Sequence, residues 1–234
     1  MNLILFEPGE LDSPLPGTDP RAIHVLKVLR RQQGDAFDAG IVDGPRGKAT
    51  LLSIAGAGLS IGFEPGPTPP EPDPVHLLIA VPRPQTARKI LGEATSLGVA
   101  SMRFFPSDKG EPSYASSTLW NTAEWRRHLL EGAAQAFDTR LPQVVHGASL
   151  AEVIAGIPAD CLRIALDNYE ATRRLTHDTL SRPLALAFGP ERGWSAAERT
   201  LLRESGFVLA HLGPRVLRTE TAVVAALAIA KAGS

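Results

Sequence analysis

The sequence predicts an α/β protein in which a small β-rich unit precedes a larger domain with a largely parallel sheet. Up to residue 63, short strand patterns alternate with glycine-bearing turns. From Val75 onward, strand patterns alternate with helix patterns, and six prolines among the eleven residues Glu64–Pro74 separate the two regions. The 234 residues, 44% hydrophobic and 21% charged, suit one large or two modest globular domains and exclude a disordered or fibrous chain.

The first region has the pattern of a small β-rich barrel with one helix. Ala22, Leu26 and Leu29 are apolar at helical spacing, which predicts a helix over Asp19–Arg31. Four short strands are predicted around it: Leu3–Phe6, Ala36–Val42, Lys48–Ile54 and Leu59–Phe63.

The proline-rich stretch predicts a boundary between domains. Proline fixes φ and lacks the N–H that a strand ladder or helix interior needs, so Glu64–Pro74 is expected to be neither a central strand nor a helix. We interpret it as a stiff, extended linker. The predicted domains are residues 1–66 and 75–234, with the linker at 67–74.

The second region alternates strands with helices, which indicates a parallel sheet. Val75–Val81 is almost continuously apolar, as expected of a strand that is buried on both faces. The other predicted strands are Ser101–Phe105, Gln143–Val145, Leu162–Leu166, Pro183–Phe188 and Val208–Leu209. The predicted helices are Arg88–Leu97, Thr118–Phe137, Ala196–Glu204 and a last one from about Glu220.

Composition narrows the class of protein. The one cysteine, Cys161, excludes an internal disulfide framework, and the scattered histidines predict no metal centre. No apolar stretch reaches the roughly 20 residues of a membrane span, and no signal peptide pattern is present, so we expect a soluble, cytoplasmic protein. The net charge of −1 does not indicate a nucleic-acid binder. Of 24 basic residues 19 are arginines, which fits either phosphate contacts or a codon bias.

The loop FGPERGW, at Phe188–Trp194, is a first candidate for a ligand site. Gly189 and Gly193 allow a sharp turn and a close approach to a ligand. Ligands of α/β sheets tend to bind beyond the carboxyl ends of strands, where this loop falls. Ser195 and Glu198, which follow it, have the spacing of a helix-capping box.

The loop GPRVLRTETA, at Gly213–Ala222, is the second candidate. It brings Arg215, Arg218 and Glu220 together in front of an apolar helix. Spacing alone fits either a solvated, charged helix start or a site that holds an adenosyl group and offers arginines to a nucleic acid.

These two loops resemble motifs of a known family. GPERG followed by LGPRVLRTETA is similar to the ribosomal RNA small subunit methyltransferase E family, of the SPOUT class, whose members methylate N3 of a uridine in 16S ribosomal RNA. Supporting similarities extend over most of the chain: His24 with Val28–Arg30 and Gly34–Asp35, Lys89 with Leu97–Val99, and Trp125, Gln135, Arg140 and Pro142.

The resemblance implies a fold, a cofactor and partners. The implied fold is an N-terminal PUA-like β-barrel followed by a SPOUT-type methyltransferase domain with a trefoil knot toward its C-terminus. The implied cofactor is S-adenosyl-L-methionine and the implied partner is 16S ribosomal RNA in the small ribosomal subunit. A homodimer is also implied, without a metal or a membrane.

The resemblance assigns three sets of residues. Cofactor binding falls to Leu166, Gly189, Pro190, Glu191, Gly193, Leu212, Gly213, Val216, Leu217, Thr221 and Ala222, and catalysis to Arg215, Arg218 and Glu220. RNA binding falls to Arg21, His24, Lys27, Arg30, Arg31 and Arg140, although the basic cluster at 21–31 also fits a solvated helix face.

Uridine N3 must lose its proton before it can accept a methyl group, which spreads negative charge over N3 and the neighbouring carbonyl oxygens. We expect Arg218 to donate to that charge and Arg215 to support it or bind a phosphate. Glu220 could act as a base, but we favour a role in which it orients Arg218 by an ion pair. Because N3 lies on the pairing edge of the base, the uridine must be unpaired or flipped out.

Some positions depart from the family pattern and leave two alternatives. Arg192 stands in place of a glycine beside the expected cofactor. At positions expected to lie near the RNA, Ser96 and Ala134 replace glutamates and Asp138 replaces an arginine, and the segment near Asp108–Lys109 is altered too. The altered RNA side favours a SPOUT paralogue that methylates another ribosomal or transfer RNA position. Arg192, if it occupied the cofactor pocket, would favour a catalytically silent RNA- or ribosome-binding protein.

Overall fold

The computed structural model describes residues 3–56, 58–181 and 183–232. The chain divides into two compact units. One comprises Met1–Glu71 and Ala133–Leu141, and the other comprises Pro72–Gly132 and Pro142–Ser234.

The first unit is built on a five-stranded sheet. Its strands are β1 (Ile4–Phe6), β2 (Leu15–Pro16), β3 (Ala36–Ile41), β4 (Arg46–Ala55) and β5 (Gly58–Pro65), in the spatial order β1-β3-β4-β5-β2. β1 and β3 are parallel, and the other pairs are antiparallel. Phe6, Val25, Leu51 and Leu59 belong to the buried cluster that closes one side of this sheet.

The helix of the first unit is shorter than the sequence predicts. Helix α1 (Pro20–Ile23) begins after Asp19, whose side chain accepts a hydrogen bond from the backbone N–H of Arg21. It continues as a π-helical turn over His24–Val28 and ends there, whereas a helix was expected as far as Arg31. Arg30 has a φ of 54°, a left-handed conformation that a helix cannot contain.

Residues 133–141, predicted to belong to the second domain, cluster with the first unit. Two hydrogen bonds hold them there. The backbone N–H of Leu3 donates to the carbonyl oxygen of Ala134 (3.1 Å), and the hydroxyl of Thr139 donates to the carbonyl oxygen of Gly44 (2.6 Å). Patterns within one segment cannot reveal bonds between residues so far apart.

The second unit contains a seven-stranded parallel sheet, which confirms the α/β prediction. Its strands are β6 (Asp73–Ala80), β7 (Val99–Phe105), β8 (Gln143–His146), β9 (Leu162–Leu166), β10 (Arg173–Arg174), β11 (Leu184–Phe188) and β12 (Val208–His211). Their spatial order is β10-β12-β9-β11-β6-β7-β8. Every residue of β11 is buried, because the strand lies between β9 and β6.

The helices of this region are α2 (Pro84–Ser96), α3 (Pro112–Ala115), α4 (Thr118–Asn121), α5 (Glu124–Gln135), α6 (Leu150–Ala155), α7 (Ala196–Glu204) and α8 (Thr219–Lys231). The single helix predicted over Thr118–Phe137 is divided, because Thr122 is extended between α4 and α5. Helix α6 was not predicted, although its capping box, Ser149 with Glu152, is visible in the sequence.

Two strands extend into the proline-rich stretch, contrary to expectation. β5 ends with Glu64–Pro65, and β6 begins with Asp73–Pro74 inside the seven-stranded sheet. Pro74 lies where the register between β6 and β7 shifts and ahead of the pairing of β6 with β11, so its missing N–H interrupts no regular ladder.

Candidate functional site

A pocket of about 320 Å³ lies beyond the carboxyl ends of β9, β11 and β12 in the second unit. We call it the loop pocket, because the loops that follow these three strands supply most of its walls. It is lined by Leu166, Asp167, Asn168, Tyr169, Phe188, Gly189, Pro190, Glu191, Gly193, Trp194, Leu212, Val216, Leu217, Arg218, Thr219 and Ala222. The carboxyl edge of a parallel sheet is where ligands of α/β proteins bind.

Most of the residues assigned to the cofactor come together here. The loop pocket is lined by Leu166, Gly189, Pro190, Glu191, Gly193, Leu212, Val216, Leu217 and Ala222, whereas Gly213 and Thr221 are not among its lining residues. Apolar walls from leucines, combined with glycine backbone, can enclose a planar heteroaromatic ring.

The two glycines of GPERG are required by close packing. A Cβ at Gly189 would lie 3.0 Å from the indole of Trp194. Gly193 has a φ of 71°, and a Cβ there would lie 2.8 Å from the ring of Tyr169. Any other residue at these positions would have to displace an aromatic wall of the pocket, so the backbone stays bare where a ligand can approach it.

Trp194 is a firmly held part of the wall of the loop pocket. Its buried ring stacks on Phe105 with 6.0 Å between centroids and 5° between planes. Its Nε1–H donates to the carbonyl of Leu166 at 2.9 Å, which ties the loop after β11 to the end of β9. Sequence reasoning missed Trp194 because the tryptophan was interpreted only as part of a glycine-rich loop.

A buried ion pair holds the loop after β9. Asp167 Oδ2 accepts from Nε of Arg199, on α7, at 2.5 Å, and Asp167 Oδ1 accepts from the backbone N–H of Tyr169 at 2.6 Å. Burial would raise the pKa of Asp167, but these hydrogen bonds outweigh it and hold the pKa below its ordinary value. The Arg199 guanidinium also lies 5.8 Å from the centre of the Tyr169 ring. An acid directly after a predicted strand was the signal that could have identified Asp167.

A second cavity, of about 530 Å³, adjoins the loop pocket. We call it the basic groove; it is lined by Arg83, Gln85, Thr86, Lys89, Glu191, Arg218, Thr219 and Glu220. Glu191, Arg218 and Thr219 line both cavities. Arg218 therefore stands at their junction, directly before α8 begins.

The predicted ion pair between Glu220 and Arg218 is wrong. Among the described residues, the ion-pair partner of Glu220 is Lys89, with 3.3 Å between Nζ and Oε1. Lys89 lies on α2, which packs against α8, so the sequence distance of the two residues concealed the contact. Arg215 is exposed and lies outside the lining of both cavities.

Arg192 does not occupy the loop pocket. Its side chain is exposed and is not among the residues that line the cavity. A pocket blocked by the Arg192 side chain, the arrangement that would favour a catalytically silent protein, is therefore not what the structure shows.

The residues assigned to RNA binding lie in the first unit, and some of them are engaged in ion pairs while others are exposed to solvent. Arg21 binds Glu10 (2.5 Å) and Asp19 (2.8 Å), and hydrogen bonds from its guanidinium lower the pKa of both carboxyls. Arg140 pairs with Glu71 at 2.7 Å and donates to the carbonyl of Asp43 at 3.2 Å.

Lys27, Arg30 and Arg31 are exposed, and His24 is half-buried. The basic charge available at the surface of this cluster therefore comes from residues 27–31 rather than from Arg21.

Neither a metal-binding cluster nor a membrane-spanning helix is found within residues 3–56, 58–181 and 183–232. No three or more histidine, cysteine, aspartate or glutamate side chains are grouped there to hold a metal ion. In the same ranges, every helix is too short or too polar to cross a membrane.

Comparisons with known proteins agree on one family. A family model described as an RNA methyltransferase domain matches residues 69–231. The ribosomal RNA small subunit methyltransferase E of Treponema pallidum is 33% identical over 100% of this chain and 92% of its own length. The ribosomal RNA small subunit methyltransferase E 1 of Borreliella burgdorferi is 28% identical over 97% and 95%.

Among solved structures, the fold is similar to that of a ribosomal RNA small subunit methyltransferase E from Neisseria gonorrhoeae bound to S-adenosyl methionine. The TM-score is 0.78 at 22% identity, over 97% of this chain and 95% of the other. Because the family model matches most of this chain, and because a relative is 33% identical over 100% of this chain and 92% of its own length, the chain belongs to the ribosomal RNA small subunit methyltransferase E family.

Proposed function

We propose that this protein uses S-adenosyl-L-methionine to methylate N3 of a uridine in 16S ribosomal RNA. The observation that carries the proposal is the loop pocket, in which the glycine-bearing loop after β11 faces the start of α8 at the carboxyl edge of the sheet. The names of the relatives support a small-subunit ribosomal RNA as the substrate, and the related Neisseria protein was crystallised with the cofactor.

The loop pocket fits the adenosyl part of this cofactor. Gly189 and Gly193 leave the backbone bare, and Leu166, Leu212 and Leu217 supply apolar walls for the adenine ring. When bound, the cofactor supplies an electrophilic methyl group on its sulfonium. Because Arg218 and Thr219 line both cavities, the acceptor base reaches the methyl group from the basic groove.

Arg218 stabilises the negative charge that the uracil ring carries before methyl transfer. Loss of the N3 proton to water leaves negative charge on the uracil ring, and the guanidinium at the junction of the two cavities donates to that charge. Lys89 neutralises Glu220, which therefore does not compete for Arg218. In-line transfer then depends on how well the walls hold the two reactants.

The remaining expectations belong to the same proposal. Residues 1–66 act as a PUA-like barrel that contacts RNA through Lys27, Arg30 and Arg31. The rest of the proline-rich stretch leads from them into a methyltransferase domain that begins with β6 and does not include residues 133–141. That domain carries a trefoil knot and forms a homodimer in the cytoplasm. The order of the strands, with β11 between β9 and β6, is compatible with such a knot, and exposed apolar side chains at Val216 and Val224 are compatible with a dimer contact.

Transfer of labelled methyl groups to purified small ribosomal subunits tests the proposal. The expected result is a single labelled nucleoside that co-migrates with N3-methyluridine after digestion of the RNA. Absence of cofactor binding by calorimetry, or of label in the RNA, would contradict it.

A paralogue with another RNA target remains the second candidate, because Ala134 and Asp138 depart from the family pattern. Label in transfer RNA or at another ribosomal position would favour it.

A further inference from the structure

The basic groove is a second ligand-sized cavity that shares a wall with the loop pocket. Its volume of about 530 Å³ lies within the range of roughly 300–1,000 Å³ that small-molecule sites occupy. Glu191, Arg218 and Thr219 line both cavities, so a ligand in the groove and one in the loop pocket would meet at these side chains.

The charges of the groove favour an anion. Three basic side chains, Arg83, Lys89 and Arg218, face two acidic ones, and one of the acidic pair, Glu220, is already bound to Lys89 at 3.3 Å. The Lys89 side chain remains 59% exposed, so its ammonium group can bind a second acceptor from solvent. Guanidinium and ammonium groups are the side chains that bind phosphate oxygens most strongly.

Arg83 is held in place by a neighbour. Its Nε–H donates to the hydroxyl of Tyr114, on α3, at 3.1 Å. The contact uses one of the five donors of the guanidinium, whose remaining donors belong to its terminal NH₂ groups. Arg83 and Arg218 also directly precede the 13-residue helices α2 and α8, whose N-terminal ends add positive potential to the groove.

We propose that the basic groove binds the acceptor nucleotide of the RNA, with its phosphate on Arg83 and Lys89 and its base directed to Arg218. The inference rests on the proposed function, since it takes a nucleotide of RNA as the substrate. It adds two substrate-binding residues, Arg83 and Lys89, and one positioning residue, Tyr114. A base held by Arg218 would lie at the entrance to the loop pocket.

The cofactor's own carboxylate is the competing anion, and the test must separate it from the RNA phosphate. Arg83→Gln and Lys89→Gln each remove one positive charge from the groove. Arg127→Gln is the matched control, because Arg127 also lies in the second unit, is 62% exposed, and is paired with acidic side chains of its own helix. Lys89→Arg keeps the charge and serves as the rescue variant.

Two measurements on full-length protein are required for each variant: steady-state methylation of small ribosomal subunits, and calorimetric binding of S-adenosyl-L-methionine. For Arg83→Gln and Lys89→Gln, we expect the KM for subunits to rise about tenfold, as for the loss of one charge-assisted hydrogen bond, with cofactor affinity unchanged. The slope of log binding constant against log salt for RNA should fall by roughly one in each. Tyr114→Phe should raise KM less. Lys89→Arg should recover most of the KM that Lys89→Gln loses, and Arg127→Gln should behave as wild type.

An unchanged KM and salt slope would overturn the groove proposal, and so would a tenfold weaker cofactor affinity, which would assign the groove to the cofactor. If wild-type protein bound the cofactor but transferred no methyl group to subunits, the proposed function would fail instead. The salt slope of RNA binding would still test the groove in that case.

Discussion

Single residues of the loop pocket determine whether a ligand can approach its walls. Gly193 combines a left-handed backbone with a Cβ position 2.8 Å from the Tyr169 ring. The motif GPERG predicted that this residue was needed, but its packing partner could not be predicted, because Tyr169 comes from another loop. The sequence similarly placed Glu220 near the active centre, but its partner, Lys89, is on a different helix.

Gly193→Ala is expected to weaken cofactor binding. The left-handed conformation costs an alanine roughly 1–2 kcal/mol, and the new methyl group must displace Tyr169. We expect the Kd for S-adenosyl-L-methionine to rise about tenfold or more, equivalent to about 1.4 kcal/mol, measured by calorimetry. Gly206→Ala is the control, since Gly206 has a similar φ of 82° but nothing within 4 Å of its Cβ position. Equal losses of cofactor affinity in both variants would contradict the role of Gly193.

The buried pair of Asp167 and Arg199 makes stability depend on acid pH. The pKa of Asp167 is lower in the folded chain than in the unfolded chain, where it is about 3.9. Its contribution is therefore complete above that value and is lost as the pH falls through the folded pKa. Asp167→Asn should lower the free energy of unfolding by about 1–3 kcal/mol at pH 7, since it leaves Glu170, at 3.5 Å, as the remaining acidic partner of the buried guanidinium.

Urea denaturation between pH 7 and pH 3 measures this effect. The difference in stability between wild type and Asp167→Asn should narrow below about pH 4, as the pH falls from the pKa of this carboxyl in the unfolded chain toward its lower pKa in the folded chain. A difference that stayed constant over the whole range would mean that Asp167 stabilises the fold without its charge.

Some helices and strands have the bounds that the sequence predicts, whereas others depend on features that local spacing does not report. β9 and α7 have the predicted bounds, Leu162–Leu166 and Ala196–Glu204. The break between α4 and α5 was missed because the apolar spacing continues across an extended Thr122. Pro74 occupies the start of β6 because a register shift removes the need for its N–H.

Helices α6 and α7 both begin with a capping box, so the same substitution can be made at the start of each and the two variants compared. Ser149 and Ser195 each accept a hydrogen bond from the third residue of their helix, so Ser149→Ala and Ser195→Ala should each cost about 1 kcal/mol of stability in chemical denaturation. Only Ser195→Ala should also weaken cofactor binding, because α7 carries Arg199 and follows the loop that contains Gly193. Equal cofactor affinity in the two variants would show that the start of α7 does not position the loop pocket.

For the whole molecule, composition and alternation predicted the α/β class, but not which segments join which unit. Residues 133–141 cluster with the first unit through hydrogen bonds to Leu3 and Gly44, over separations that no local pattern reports. The order of the seven strands is equally a property of long-range pairing. The sequence predicted the two loops of the candidate site that follow β11 and β12. It did not predict the loop after β9 or the basic groove beside the pocket.

Mapping of the methylated nucleotide tests the proposed activity most directly. Small-subunit RNA from a strain that lacks the corresponding enzyme would be digested and sequenced by mass spectrometry after expression of wild type or Arg218→Ala. We expect wild type to restore N3-methyluridine at one position of 16S ribosomal RNA. We expect Arg218→Ala to fold and to bind the cofactor, but to leave that position unmethylated. In vitro, its kcat should be about 100- to 1,000-fold lower than that of wild type. Methylation of a different RNA or atom by wild type, or full methylation by Arg218→Ala, would contradict the proposed reaction.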